Sequence, residues 1–209
     1  CGVVETGNVY IFSSQMKIES TFSLNEKDII CSIYSFTNEL LIISAMKKLF
    51  TFDLKTRKIT SSSDDCVITS LLLLDNYTLF CGCANGFIEI RSFPSLMVKM
   101  NSSLYNTCHT ENGHRTPLQD TYLSTRQLYL NPSAVKKLDF CARRETVLSL
   151  SSYGEIFLWD KTGKPLTRIS IPFGVKSACF ADGTGSILIS SMKNLFKIEW
   201  DVLFKKQLL

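Results

Sequence analysis

The 209-residue chain has little of what marks a secreted, membrane-spanning or disordered protein. Only 5 prolines and 10 glycines are present, so no long flexible linker is indicated. The longest strongly apolar run, around Leu71–Leu74, is far shorter than the roughly 20 residues that a membrane-spanning helix needs. The opening residues, CGVVETGNVY, lack the basic start and the apolar block of a signal peptide. We therefore expect neither membrane insertion nor a secretory signal in this stretch.

The chain also lacks a strong excess of charge of either sign. Lysine and arginine number 23 and the acidic residues 19, which gives a net charge of +4 scattered along the sequence. The pair Lys205-Lys206 is too short to form a nucleic-acid-binding patch, so no nucleic acid is expected as a partner. With 45% hydrophobic and 20% charged residues, the composition is that of a globular protein with a substantial core.

The 8 cysteines show neither a disulfide pattern nor a metal-binding pattern. Most of them fall in apolar or β-branched runs, where a free cysteine behaves as a small core residue, and this predicts a reducing, cytoplasmic location. Cys108 and His109 lie close to His114, the other of the chain's 2 histidines. A zinc site needs four ligands at defined spacing, and no Cys-x-x-Cys pair accompanies these residues. The sequence predicts no metal site.

No group of residues has the pattern of a catalytic or cofactor-binding site. The segment Cys81-Gly82-Cys83 lacks the two-residue spacer of a redox motif. The segment 181–185, ADGTG, resembles a phosphate-binding loop only in composition, and it falls between two predicted strands, where a tight turn requires glycine anyway. We therefore predict that the protein is not an enzyme and carries no cofactor.

What the sequence does contain is a repeated alternation of apolar residues. Ile156 and Leu158, just before Trp159, have counterparts at Val9/Ile11, Phe50/Phe52, Ile88/Ile90 and Phe196/Ile198. We call the position of Trp159 the anchor, and the five anchors are then Phe12, Asp53, Arg91, Trp159 and Glu199. Successive anchors are about 40 residues apart, except that the gap before Trp159 is about 28 residues longer.

A period near 40 residues, built from short β-type runs, is typical of the blades of a β-propeller. The copies resemble WD repeats, most clearly in VLSLSSYGEIFLWDKTG and more weakly in LFCGCANGFIEIRSF. The resemblance implies an all-β fold, a WD-type β-propeller of four to five blades forming one domain over residues 1–209. The predicted blades are residues 1–28, 29–66, 67–100, 135–174 and 175–209. The Gly-His pair that opens a typical WD blade is missing, so its hydrogen-bonded tetrad is incomplete here and other propeller families remain possible.

The strand count predicts an open arc. The first copy lacks its opening strand and the last has room for only three, so the two ends of the chain do not complete one shared blade. Because the chain also has no initiator Met, we expect further blades N-terminal to Cys1. Exposed sheet edges invite pairing with other strands, so the segment alone is expected to dimerise or aggregate. The ring of Trp159 is expected to lie between adjacent blades.

The extra length falls between the third and fourth copies, in a predicted insertion over residues 101–134. Its second half is amphipathic and includes five apolar residues on the side of a short predicted helix: Leu118, Tyr122, Leu123, Tyr129 and Leu130. One interpretation is a surface excursion that caps its own blade. The other is a partner-binding element, since long loops in compact domains are often functional.

Two classes of function follow from the resemblance. WD propellers are rigid platforms that bind other proteins, which predicts a non-catalytic scaffold for a multiprotein complex. The alternative, a ligand-binding or enzymatic propeller, needs ionisable residues that converge from several blades. A third possibility is the substrate receptor of a ubiquitin ligase, but such receptors often carry Arg two residues after the Trp-Asp pair, where this chain has Thr162.

Overall fold

Five antiparallel β-sheets follow one another along the chain in a computed structural model that describes residues 2–3, 7–24, 26, 28–46, 48–64, 67–103, 133–169, 171 and 174–204. We number the sheets 1 to 5 in chain order. Within each sheet, sequential strands are neighbours and the order is a simple meander. The fold is therefore built from consecutive, locally formed units, as the repeat predicted.

Sheets 1 and 5 have three strands each among the described residues, and sheets 2, 3 and 4 have four. Sheet 1 consists of β1 (Gly2–Val3), β2 (Asn8–Phe12) and β3 (Ile18–Ser23). Sheet 2 consists of β4 (Ile29–Ser35), β5 (Leu40–Ala45), β6 (Lys48–Asp53) and β7 (Lys58–Asp64). Sheet 3 consists of β8 (Ile68–Leu73), β9 (Thr78–Cys83), β10 (Phe87–Ser92) and β11 (Val98–Ser103).

Sheet 4 consists of β12 (Val135–Cys141), β13 (Thr146–Ser151), β14 (Ile156–Asp160) and β15 (Pro165–Ile169). Sheet 5 consists of β16 (Ser177–Phe180), β17 (Ile187–Ser190) and β18 (Leu195–Ile198). A 3-10 turn, Ala142–Arg144, joins β12 to β13, and a short helix, α1 (Trp200–Phe204), follows β18. Strand β11 extends through residues 101–103, which the sequence assigned to the insertion.

The second strands of sheets 2, 3 and 4 are apolar on both faces because both faces are covered. Strands β5, β9 and β13 are buried almost from end to end. Four apolar cores separate the five sheets, one in each gap between neighbours. The first strands of sheets 2 to 5 also pack against one another in order. Sheets stacked face to face with adjacent first strands are the arrangement of a β-propeller, and this chain forms part of one.

The outer faces of the two end sheets carry exposed apolar side chains. On sheet 1, Phe12 and Ile18 lie on the side away from sheet 2, and both are exposed. On sheet 5, Leu195 is also exposed. No helix among the described residues is long and apolar enough to cross a membrane.

Candidate interaction surfaces

The anchor residue of sheet 4 is a core side chain. Trp159 is 1% exposed and packs in the core between sheets 3 and 4, with Phe80 and Ile88 from one side and Phe157 from its own strand. Its indole Nε1 donates a 2.8 Å hydrogen bond to Oγ of Ser149, which is also fully buried. The ring therefore lies between adjacent blades, as expected, and its one polar atom is satisfied there.

Arg91 is the anchor of sheet 3, and its side chain is completely buried. Its guanidinium forms an ion pair with Glu89, two residues earlier on the same face of β10, with Nε 3.0 Å from Oε2. Nη1 donates to Ser63 Oγ on sheet 2 at 2.9 Å and to the carbonyl oxygen of Leu96 at 3.2 Å. Where sheet 4 uses an aromatic ring, sheet 3 uses a charged group that is hydrogen-bonded across the gap to sheet 2.

The anchor position is offset by one residue in sheets 2 and 5. A β-bulge precedes Phe12, Arg91 and Trp159, and in sheet 2 the corresponding bulge precedes Phe52. Phe52 faces the core shared with sheet 1, whereas Asp53 follows it at the turn. The physical reason is that the β5–β6 hairpin is one residue shorter than the β13–β14 hairpin.

The same shortening occurs in sheet 5. Ile187 pairs with Ile198, as Val147 pairs with Trp159, so Ile198 and not Glu199 takes the anchor position. Ile198 packs against the core between sheets 4 and 5, while Glu199 is exposed. The carboxylate of Glu199 instead accepts a 2.7 Å hydrogen bond from Ser186 Oγ.

Among the described carboxylates, those whose pKa is clearly shifted are held by turn contacts or by an ion pair. Backbone N–H groups of Thr56 and Lys55 donate to Asp53 and lower the pKa of that carboxyl. The hydroxyl and the backbone N–H of Thr184 do the same for Asp182. The pKa of Glu199 is lowered by hydrogen bonds from Ser186 and Lys197. These shifts arise from ordinary turn and ion-pair contacts at exposed positions.

The described cysteines are free thiols, and three of them, Cys81, Cys83 and Cys141, are buried. Burial raises the pKa of the Cys31 thiol to about 12, against a smaller lowering by a hydrogen bond with Ser44. Among the residues that the structure describes, no group of three or more His, Cys, Asp or Glu side chains is placed to hold a metal ion. The segment Cys108, His109 and His114 lies outside the described residues.

The segment 181–185 is the turn between β16 and β17. Asp182 Oδ1 accepts a 2.8 Å hydrogen bond from the backbone N–H of Thr184, and Gly185 has a positive φ of 95°. A side chain at Gly185 would collide with the ring of Trp200. The guanidinium carbon of Arg144 lies 5.0 Å from the centroid of that ring. Glycine is needed here for the turn and for the packing of α1.

Several of the most exposed large apolar side chains lie at hairpin turns. Phe36 and Tyr77 follow the first strands of sheets 2 and 3, at one end of the sheets. Met46, Tyr153 and Met192 lie at the opposite end, between the second and third strands of sheets 2, 4 and 5. These side chains contribute little to the cores, because they project beyond the strands that form them.

Two of these hairpins share a sequence motif that the fixed anchor spacing did not bring into register. Residues 44–50, SAMKKLF, match residues 190–196, SSMKNLF, at five of seven positions. The match places Met46 and Met192 at the same point of the hairpin. Aligning the hairpin segments themselves, without the fixed anchor spacing, reveals both this motif and the one-residue shortening.

The five apolar residues of the predicted insertion, Leu118, Tyr122, Leu123, Tyr129 and Leu130, lie outside the described residues. Their role in binding a partner therefore stays a prediction.

Comparisons with known proteins establish the fold. No protein-family profile matches the chain, and no curated protein matches it by sequence. Among solved structures, Sqt1 of Saccharomyces cerevisiae, a WD-repeat protein, is similar, with a TM-score of 0.69 at 12% sequence identity. The match covers 95% of this chain and 55% of the Sqt1 chain, so this chain spans about half the length of that protein. The fold of this chain is therefore that of part of a WD-type β-propeller.

Proposed function

We propose that this chain is a non-catalytic interaction scaffold that helps to assemble a multiprotein complex in a reducing, cytoplasmic environment. The observation that carries the proposal is the exposure of large apolar side chains at hairpin turns, where the fold does not need them. Phe36 is 85% exposed, Met192 83% and Tyr77 71%. Turn positions favour Gly, Asn, Asp and Ser, so apolar residues there point to contacts with another molecule.

The stacked sheets support this use of the turns. The hairpins between the second and third strands of sheets 2, 3 and 4 are held at both ends by strands that are largely buried, so their backbone is ordered before any partner arrives. Binding to such a surface costs little additional conformational entropy. We therefore expect the partners to be proteins that bind across several of these rigid hairpin turns.

The alternatives gain no specific support from the described residues. An enzymatic or ligand-binding propeller requires ionisable groups that converge on one site, but Asp53 and Asp182 are engaged in turns and Glu199 is hydrogen-bonded to Ser186. Thr162 gives no support to a role as a ubiquitin-ligase receptor. Its hydroxyl and backbone N–H both donate to Asp160 in the β14–β15 turn.

Affinity capture of the tagged full-length protein, followed by size-exclusion chromatography, tests the proposal. Two variants, Phe36→Ser/Tyr77→Ser and Tyr153→Ser/Met192→Ser, alter opposite ends of the sheets. Thermal melts of each variant serve as the control for folding. We expect a partner that co-elutes in stoichiometric amount with the parent and is lost from at least one variant. A parent protein that elutes alone, or a partner retained by both variants, would contradict the proposed function.

A further inference from the structure

Two rigid hairpin turns lie side by side at one end of sheets 4 and 5. In the β13–β14 hairpin, the backbone N–H of Tyr153 donates to Ser133 Oγ at 3.2 Å. Gly154, with φ of 85°, completes the turn and lies directly against Val175 at the start of sheet 5. The backbone of this turn is therefore fixed, while the side chain of Tyr153 remains 70% exposed.

The contact continues from Val175 to the second hairpin. The backbone N–H of Lys176 donates to the carbonyl oxygen of Ser190 at 2.8 Å, at the end of β17. Ser191 then holds the turn, since its Oγ accepts a 3.1 Å hydrogen bond from the backbone N–H of Asn194. Met192, at the tip of this turn, is almost fully exposed. The two tips are thus joined by continuous backbone contacts through Val175 and Lys176, and are not merely placed at the same end of the molecule.

Three lysines lie on the same surface, one near each of these contacts. Lys136 is on the first strand of sheet 4, and its Nζ donates to the carbonyl oxygen of Lys176 at 3.0 Å, which bridges the two sheets. Lys176 and Lys193 are both exposed. We define the tip patch as Tyr153, Met192, Lys136, Lys176 and Lys193.

The positive charge of the tip patch is not neutralised by the part of the chain that the structure describes. No described carboxylate forms an ion pair with any of its three lysines. Glu155, two residues after Tyr153, is engaged by Arg168, and Asp139, the acidic residue nearest to Lys136 in sequence, accepts a 2.7 Å hydrogen bond from the backbone N–H of Phe180. The related hairpin of sheet 2 differs on this point, because Lys48, two residues after Met46, pairs with Glu26 at 3.0 Å. Exposed apolar tips occur in both places, and of the lysines described there only those of the tip patch form no ion pair with a described carboxylate.

We propose that the tip patch binds an acidic segment of another protein in which carboxylates alternate with apolar side chains. The inference rests on the proposed scaffold function and names the surface and the chemistry of its partner. Carboxylates of the segment meet the three lysines, and its apolar side chains cover the Tyr153 ring and the flexible thioether of Met192. Apolar tips on either side of the lysines fit a chain of alternating character better than a uniformly charged phosphate surface.

Fluorescence polarisation tests the inference with the full-length protein and a defined probe. The probe is a fluorescein-labelled synthetic peptide in which Glu and Leu alternate, and a peptide of alternating Lys and Leu serves as the reversed-charge control. We expect saturable binding of the acidic peptide that weakens as salt rises, because exposed charges are screened. The variant Lys136→Glu/Lys176→Glu/Lys193→Glu is expected to weaken that binding by about tenfold or more.

The apolar tips are tested separately, with a matched control. Tyr153→Ser/Met192→Ser is expected to weaken binding several-fold, whereas Met46→Ser, at the equivalent hairpin tip of sheet 2, is expected to leave it unchanged. Equal loss in the Met46 variant, or equal binding of both peptides, would overturn the assignment. So would stronger binding to phosphatidylserine vesicles or to a single-stranded oligonucleotide than to the acidic peptide. If the affinity-captured partner is lost only from the Phe36→Ser/Tyr77→Ser variant, the scaffold function stands and this inference fails.

Discussion

The buried contact between Trp159 and Ser149 provides the sharpest test of how these blades hold together. Trp159→Ala removes the largest fully buried side chain of the described core and leaves a cavity between sheets 3 and 4. We expect the free energy of unfolding to fall by about 3–5 kcal/mol, the usual range for a large core aromatic residue. Urea unfolding is best followed by circular dichroism, because the substitution removes one of the chain's 2 tryptophans and thereby changes the fluorescence signal.

A double-mutant cycle then isolates the hydrogen bond from the packing. Trp159→Phe keeps most of the ring but leaves the buried Ser149 hydroxyl without its donor, and Ser149→Ala leaves the indole N–H without its acceptor. Each single change is expected to cost about 1–3 kcal/mol, because an unpaired buried polar group carries its full desolvation penalty. In the double variant neither polar group remains, so the combined loss is expected to be smaller than the sum.

The expected coupling energy between the two positions is about 1–2 kcal/mol, within the range seen for residues in direct contact. Additive losses would show that the 2.8 Å hydrogen bond contributes nothing to stability. A Trp159→Ala variant that unfolds like the parent but loses a partner would refute the core assignment itself, and would make Trp159 an interface residue.

Three further predictions concern other positions in the cores. Arg91→Met should destabilise the protein by about 3–5 kcal/mol in urea unfolding because it removes the cation paired with the buried carboxylate of Glu89, whereas Arg91→Met/Glu89→Leu should recover most of that loss; equal losses would contradict the ion pair. Gly154→Ala should lower the melting temperature, since φ is 85° and the new Cβ would lie 3.0 Å from the backbone nitrogen of Val175; an unchanged melting temperature would contradict this geometry. For Cys31, burial raises the thiol pKa from 9.0 to about 12, so the unfolded chain loses this proton at lower pH than the folded chain does. The free energy of unfolding relative to Cys31→Ala should therefore fall as pH rises from 9 towards 12. A difference between the two proteins that does not depend on pH would contradict the burial of the thiol.

The strand pattern of this fold is visible in the sequence because each inner strand is covered on both faces. Runs such as 40–45, LLIISA, are bounded by turn residues and carry large apolar side chains at consecutive positions, which a strand exposed on one face does not. Local pairing of sequential strands then follows from the short connections between them. The propeller arrangement itself was predicted from the repeat period, and the sheet order and the Sqt1 likeness confirm it.

The anchor register of two sheets was not predictable from alternation alone. In β6, Leu49, Phe50, Thr51 and Phe52 are all buried, so the pattern gives no sign of which face each side chain takes. A hairpin shortened by one residue moves every following side chain to the other face, because strand side chains alternate. The helix α1 was also missed, since five residues are too few to display a helical period.

The tip patch was not predictable for a different reason. Its lysines come from three separate elements, and only the packing of Gly154 against Val175 and the bond from Lys136 to Lys176 bring them together. A small and scattered net charge gives no hint of such a local concentration. The amphipathic insertion is easier to recognise from the sequence, because an irregular length is visible in a repeat, whereas residues that meet only on the folded surface are not.

Cross-linking mass spectrometry of the full-length protein with its affinity-captured partner tests the scaffold account most directly. A lysine-to-carboxylate cross-linker is suitable, because the tip patch offers Lys136, Lys176 and Lys193, and Lys161 near the opposite end serves as an internal reference. The account predicts a stoichiometric partner whose acidic residues cross-link to the tip-patch lysines and not to Lys161. A captured protein without any stoichiometric partner, or a partner that cross-links to Lys161 and not to the tip-patch lysines, would contradict it.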